Sequence, residues 1–197
     1  MNLPNKLTML RMVMVPFFVF FLLETPEMGD WMFFKWIALA LFIVASLTDM
    51  LDGKIARKYN LVTNFGKLMD PLADKLLVCS ALVGLTWHGI VPAWMTIIII
   101  GREFIISGFR LIAAEKGVVI AASMWGKLKT VFQMIMICFT ITVLNDYGFR
   151  GDMYAVAVYM GIEYVAVALM WIATVLTVIS LVDYVWKNRA IMKENEK

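Results

Sequence analysis

From Tyr164 to Val182 the chain runs for nineteen residues without a charge, enough for one helix to cross the hydrocarbon core of a bilayer. It is the cleanest of six apolar segments, which fall at 7–23, 31–48, 76–91, 92–112, 126–144 and 154–184. The chain of 197 residues is 62% hydrophobic and 17% charged, whereas a soluble domain is nearer half apolar and a quarter charged. A soluble enzyme, a disordered chain and a secreted disulfide scaffold are therefore excluded. The expectation is an all-α integral membrane protein with six transmembrane helices, formed as a single domain over 1–197. Arg11 and Pro16 interrupt the first segment, which makes a signal peptide the competing reading there. No small-x-small cleavage site follows Leu23, however, and Glu24, Thr25 and Pro26 come next. Cys79 and Cys138 lie inside apolar runs and read as reduced packing residues.

Charge placement orients the spans. Lys6 and Arg11 sit at the first; Lys54, Arg57, Lys58, Lys67 and Lys75 follow the second. Arg110, Lys116, Lys127 and Lys129 flank the next loop on that side, and Lys187, Arg189, Lys193 and Lys197 form the tail. Fifteen of the 18 basic residues thus share one face, against Lys35 and Arg150 on the other and Arg102 within a span. The positive-inside rule then places both termini in the cytoplasm. Trp31, Trp36, Trp87, Trp94, Tyr147, Tyr154, Tyr184 and Trp186 fall near span ends, as an aromatic belt does. No two glycines are four apart, so a GxxxG dimer motif is absent. Net charge is only +3 with no basic run, so a nucleic-acid partner is not expected.

The informative polar stretch runs from Thr48 to Asp74 and places four aspartates within 26 residues. On helices Asp49 and Asp52 share a face at i, i+3, and Asp70 and Asp74 do so at i, i+4. Two helices joined by a turn over Tyr59–Phe65 would aim both pairs into one space, with Thr63 or Asn64 capping the second helix. Four facing carboxylates repel one another, and near the hydrocarbon boundary each is costly unless a cation offsets it. Oxygen ligands without nearby histidine or thiol favour a hard ion, Mg²⁺, Mn²⁺ or Ca²⁺, rather than zinc. A pair of divalent ions is the usual device for chemistry at phosphate oxygen. Gly53, one turn after Asp49, leaves room for a bulky ligand at the helix backbone. Arg57, one turn further, is placed to pair with a phosphate. The ordinary alternative is a solvated helix–loop–helix whose acids pair with Lys54, Arg57, Lys67 and Lys75.

The pattern Asp-x-x-Asp-Gly-x-x-Ala-Arg, eight residues, Gly-x-x-x-Asp-x-x-x-Asp is filled at Asp49, Asp52, Gly53, Ala56, Arg57, Gly66, Asp70 and Asp74. It resembles the signature of the CDP-alcohol phosphatidyltransferases. The likeness extends along most of the chain. Leu3-Pro4-Asn5-Lys6-Leu7-Thr8-Met9-Leu10-Arg11, Gly101-Arg102-Glu103-Phe104 through Arg110 to Ala114, and Gly126-Lys127-Leu128-Lys129-Thr130 with Gln133 resemble a bacterial branch that uses glycerol phosphate. The resemblance implies a six-helix enzyme of the bacterial cell membrane, usually a homodimer, with its site in a cytoplasm-facing cavity. It implies that Asp49, Asp52, Asp70 and Asp74 bind two divalent cations, Mg²⁺ or Mn²⁺, and that Gly53, Ala56 and Arg57 hold the CDP moiety. Asp74 would also act as base. The implied reaction joins CDP-diacylglycerol and sn-glycerol 3-phosphate to give phosphatidylglycerophosphate and CMP.

A dianionic acceptor needs further cations. Arg102 and Arg110 lie roughly 80° apart around the fourth span, and Glu103 and Arg110 are nearly aligned. Charges so deep are functional candidates, with a structural ion pair to Glu103 as the alternative. Arg110 is the favoured acceptor-phosphate ligand. Arg102 and Lys127 are further candidates, while Lys127 and Lys129 also suit headgroup anchoring. Arg11 either reaches the same cavity or snorkels to lipid phosphate. Asn5 and Thr8 are substrate contacts on resemblance alone. His88, the only histidine, falls at a predicted extracytoplasmic turn and reads as solvated. No Ser/His/Asp arrangement exists, so direct displacement is expected. Two other readings are a same-family transferase using serine, inositol or inositol phosphate, and a cation transporter. The latter needs acids near the bilayer middle, often in paired halves, and this chain has neither.

Overall fold

A computed structural model describes residues 3–24, 31–58, 64–115, 123–144 and 153–193; the side chains at 3–5, 31–32, 50–58, 64–68, 70–71, 114–115, 153–159 and 190–193 lie outside that description. Every element among the described residues is helical: α1 Leu3–Leu23, α2 Trp31–Lys58, α3 Asn64–Trp87, α4 Ala93–Glu115, α5 Met124–Thr142 and α6 Met153–Lys193. The helices coincide with the six apolar segments but outrun some of them. α2 carries on through the aspartate motif, and α3 starts at Asn64, so Asn64 and Phe65 are helical rather than part of a turn. Thr63 lies outside the described residues. Pro16 does not break α1, which runs through it.

α1 packs on α2 and α3, α5 packs on α6, and α4 lies between α6 and α3; contacts of α2 and α3 with α5 join the two halves. The core is built from both small and large apolar residues. Phe18 and Phe42 meet at 5.8 Å between ring centroids, and Leu22, Ala81, Leu85, Ile99, Met136 and Ile141 close around them. Gly84 lets α1 approach α3: a Cβ there would lie 2.4 Å from Leu22 Cδ2.

Large apolar side chains also cover much of the outer surface. Phe17, Phe33, Val83, Ile97, Phe104, Val131, Val175 and Val182 are all exposed, which makes an apolar surface of a kind that a water-soluble monomer rarely shows. Among the described residues two stretches are long and apolar enough to cross a membrane, Lys6–Leu23 and Met160–Arg189. α4 is interrupted by Arg102, Glu103 and Arg110, and α5 by Lys127, Lys129 and Gln133.

One end of the bundle is closed by side-chain caps. His88 Nε2 lies 2.7 Å from the Leu22 carbonyl at the end of α1. The expectation of a merely solvated histidine is thereby corrected: the turn after α3 sets the ring against a carbonyl that the helix leaves unpaired. Gly89 makes this turn with φ +73, a left-handed conformation suited to glycine. Buried Lys35 donates to the carbonyls of Thr142 (3.1 Å) and Leu144 (3.4 Å) at the end of α5, where a cation also suits the helix dipole. Cys79 and Cys138 are free, half-buried thiols.

Candidate active site

The opposite end of the bundle gathers the charges. Asp49 stands near the end of α2 and Asp74 near the start of α3, and these helices pack together. Fully buried Arg11, on α1, donates from Nη1 to Asp49 Oδ1 at 2.5 Å. Thr8, one turn earlier, is also fully buried. Asp74 precedes the apolar stretch 76–91. Burial and the Asp49 and Glu103 carboxylates push its carboxyl up to about 6, against the pull of Arg11 and Lys75. A partly buried carboxyl held up in this way sits where positive charge is short. The donors Asp49 and Asp74 are hard oxygens, so the place fits a hard divalent cation. Asp52, Gly53, Ala56, Arg57 and Asp70 lie on the same ends of α2 and α3, but their side chains, like that of Asn5, lie outside the described set. Among the described residues no group of three His, Cys, Asp or Glu side chains forms a metal cluster.

A second charged group lies beside the first and joins α4, α5 and α6. The Glu103 carboxylate accepts from the fully buried Lys129 ammonium and, at 3.2 Å, from Arg102 Nη1. Arg102 Nη2 donates to Ser180 Oγ of α6 at 2.6 Å. Gly126 supplies the clearance: a Cβ there would lie 3.1 Å from Arg102 Nη2. Ser123 caps α5 just before it, its Oγ accepting from the Gly126 amide at 3.1 Å. Glu103 thus shares one negative charge between two cations, and the trio carries a net positive charge.

Of the basic residues singled out in the sequence, Arg11 and Arg102 are buried within these two groups, whereas Arg110 and Lys127 are exposed. Arg110 lies 6.0 Å from the centroid of the Tyr184 ring. Lys129 is no headgroup anchor, since burial removes its ammonium from the surface and Glu103 holds it. Nothing local in the sequence marks Ser180, and Tyr184 reads there only as a belt aromatic. They are four apart on α6, but no local pattern reveals what faces them. Tyr184 is only 2% exposed.

A helical chain with an acidic pair next to a buried basic group suits reaction at a phosphate. Residues 1–179 match the family model described as CDP-alcohol phosphatidyltransferase, and the chain belongs to that family. Its members generally use divalent metal ions. A curated relative from Bacillus subtilis (strain 168), named CDP-diacylglycerol–glycerol-3-phosphate 3-phosphatidyltransferase, is 42% identical over 98% of this chain and 97% of its own length. A relative from Mycobacterium tuberculosis (strain H37Rv), named probable phosphatidylglycerophosphate synthase, is 40% identical over 93% of this chain and 80% of its own. One from Haemophilus influenzae with the same name as the first is 35% identical over 98% and 97%.

Proposed function

We propose that this protein transfers the phosphatidyl group of CDP-diacylglycerol to sn-glycerol 3-phosphate, yielding phosphatidylglycerophosphate and CMP. The observation that carries the reading is the 35–42% identity, over nearly the full chain, to relatives bearing that enzyme name. In this reading 1–197 is one domain with six membrane-crossing helices and both termini in the cytoplasm of a bacterial cell. The one-sided distribution of lysine and arginine supports that orientation, and family resemblance supports a homodimer.

The acceptor hydroxyl attacks the phosphorus joined to diacylglycerol, the bond from that phosphorus to the CMP oxygen breaks, and Asp74 takes the hydroxyl proton. Asp49, Asp52, Asp70 and Asp74 would hold two divalent ions, Mg²⁺ or Mn²⁺. Bound there, such ions would supply Lewis-acid stabilisation of the departing phosphate. Arg11 holds Asp49 in place through its Nη1 contact with Oδ1. Gly53, Ala56 and Arg57 hold the CDP moiety, with Asn5 and Thr8 contacting substrate. The net positive group of Arg102, Glu103 and Lys129, with Arg110 and Lys127 toward the surface, attracts a phosphorylated acceptor rather than a neutral one.

The test is CMP release by the detergent-purified protein given CDP-diacylglycerol and Mn²⁺, with glycerol 3-phosphate, serine, inositol or inositol phosphate as acceptor. Release is expected with glycerol 3-phosphate only, and chelation should abolish it. Release with another acceptor instead would overturn the assignment.

A further inference from the structure

We infer that the Tyr184 hydroxyl is a hydrogen-bond donor to the phosphate of the acceptor, completing a subsite between α4 and α6 whose other members are Arg102 and Arg110. This rests on the glycerol 3-phosphate reading above.

Among the described residues, two buried donors at this place have no partner: Tyr184 Oη and Arg102 Nε. Their residues are 2% and 7% exposed. A buried hydroxyl or guanidinium N–H left unpaired is unfavourable and calls for a partner, which a bound ligand can supply. Both lie at the same junction. Ser180, one turn before Tyr184 on α6, already accepts from Arg102 Nη2 at 2.6 Å. The Tyr184 ring is held from two sides, edge-on by Phe109 at 6.2 Å and by the Arg110 guanidinium at 6.0 Å. A ring fixed in this way presents its hydroxyl in one direction at little entropic cost.

The chemistry of the set is that of an oxyanion site. Arg102 Nε and the phenol supply N–H and O–H donors, and Arg110 brings a full charge from the exposed side. Asp183, adjacent on α6, is the nearest carboxylate in sequence; its Oδ1 pairs with Lys187 at 2.7 Å, and its Oδ2 is buried without a partner among the described residues. The ligand class these donors suit is a phosphate monoester. Serine or inositol would bring hydrogen-bond acceptors but no phosphate dianion to this set.

The test is Tyr184→Phe, which keeps the ring and its contacts with Phe109 and Arg110 and deletes only the hydroxyl. At saturating CDP-diacylglycerol and Mn²⁺, the KM for glycerol 3-phosphate is expected to rise about tenfold or more while kcat and the KM for CDP-diacylglycerol hold within about twofold. Glycerol 3-phosphate should also raise the Tm of the wild type and fail to raise that of the variant. Arg110→Ala serves as the comparator and should raise the same KM. A Tyr184→Phe enzyme with unchanged acceptor KM and a higher Tm would show a merely unpaired hydroxyl and overturn the assignment, leaving the reaction standing. A wild type that releases CMP only with a neutral acceptor would remove the reaction and the Tyr184 assignment together.

Discussion

Buried charge is costly in a chain of this composition, so each charged side chain that stays inside has a partner or a task. Arg11 has Asp49, Lys129 has Glu103, and Arg102 has Glu103 and Ser180. Asp74 is the exception. Burial first, and then the neighbouring carboxylates, push its carboxyl up to about 6, where it both suits a cation and lies closer to neutrality than an ordinary aspartate. If it takes the acceptor proton, Asp74→Asn should lower kcat by a factor of about 100 or more, with the helical content and gel-filtration profile of the wild type retained. A folded Asp74→Asn protein with near-normal turnover would place the base elsewhere. The periodicity of α2 and α3 identified Asp74 from sequence because the motif is local. Lys129 and Tyr184 were misread because their burial depends on helices distant in the chain.

At the level of elements, the six helices were legible as apolar runs, and their boundaries were less so. α2 and α6 run past the ends of the segments read from hydropathy, since a helix that leaves an apolar layer has no reason to stop until a cap or breaker arrives. Contact between helices depends on small residues that sequence alone does not single out. Gly84 is one such position: its missing Cβ is what allows Leu22 of α1 to sit against α3. Gly84→Val should therefore push α1 from α3 and destabilise the protein by about 1–3 kcal/mol, read as a lower Tm in detergent. An unchanged Tm would mean that Leu22 repacks without moving the helix. Gly89 differs: nothing lies near its absent Cβ, and glycine serves there for its left-handed backbone.

Across the whole molecule, the two ends of the bundle are chemically unlike. One carries the caps made by His88 and Lys35; the other carries the aspartates and most of the basic residues. If the charged end faces the cytoplasm, a membrane-impermeant maleimide should label Trp87→Cys in intact bacterial cells, with both native cysteines replaced. Lys187→Cys should react only after permeabilisation. Trp87 and Lys187 are 77% and 62% exposed, so access is not limited by the fold. The reverse pattern would invert the proposed topology.

Sequence by itself determined that the chain is helical and apolar, and that its carboxylates fall in a spaced motif; the family follows from the same residues. All of these depend on spacing along the chain, which helical periodicity converts directly into a shared face. Only the tertiary structure decided which charges meet. It set Arg11 on Asp49, turned Lys129 inward to Glu103, and buried Tyr184 beside Arg110. Those outcomes depend on how helices far apart in sequence pack against one another, and residues three or four positions apart carry no record of that.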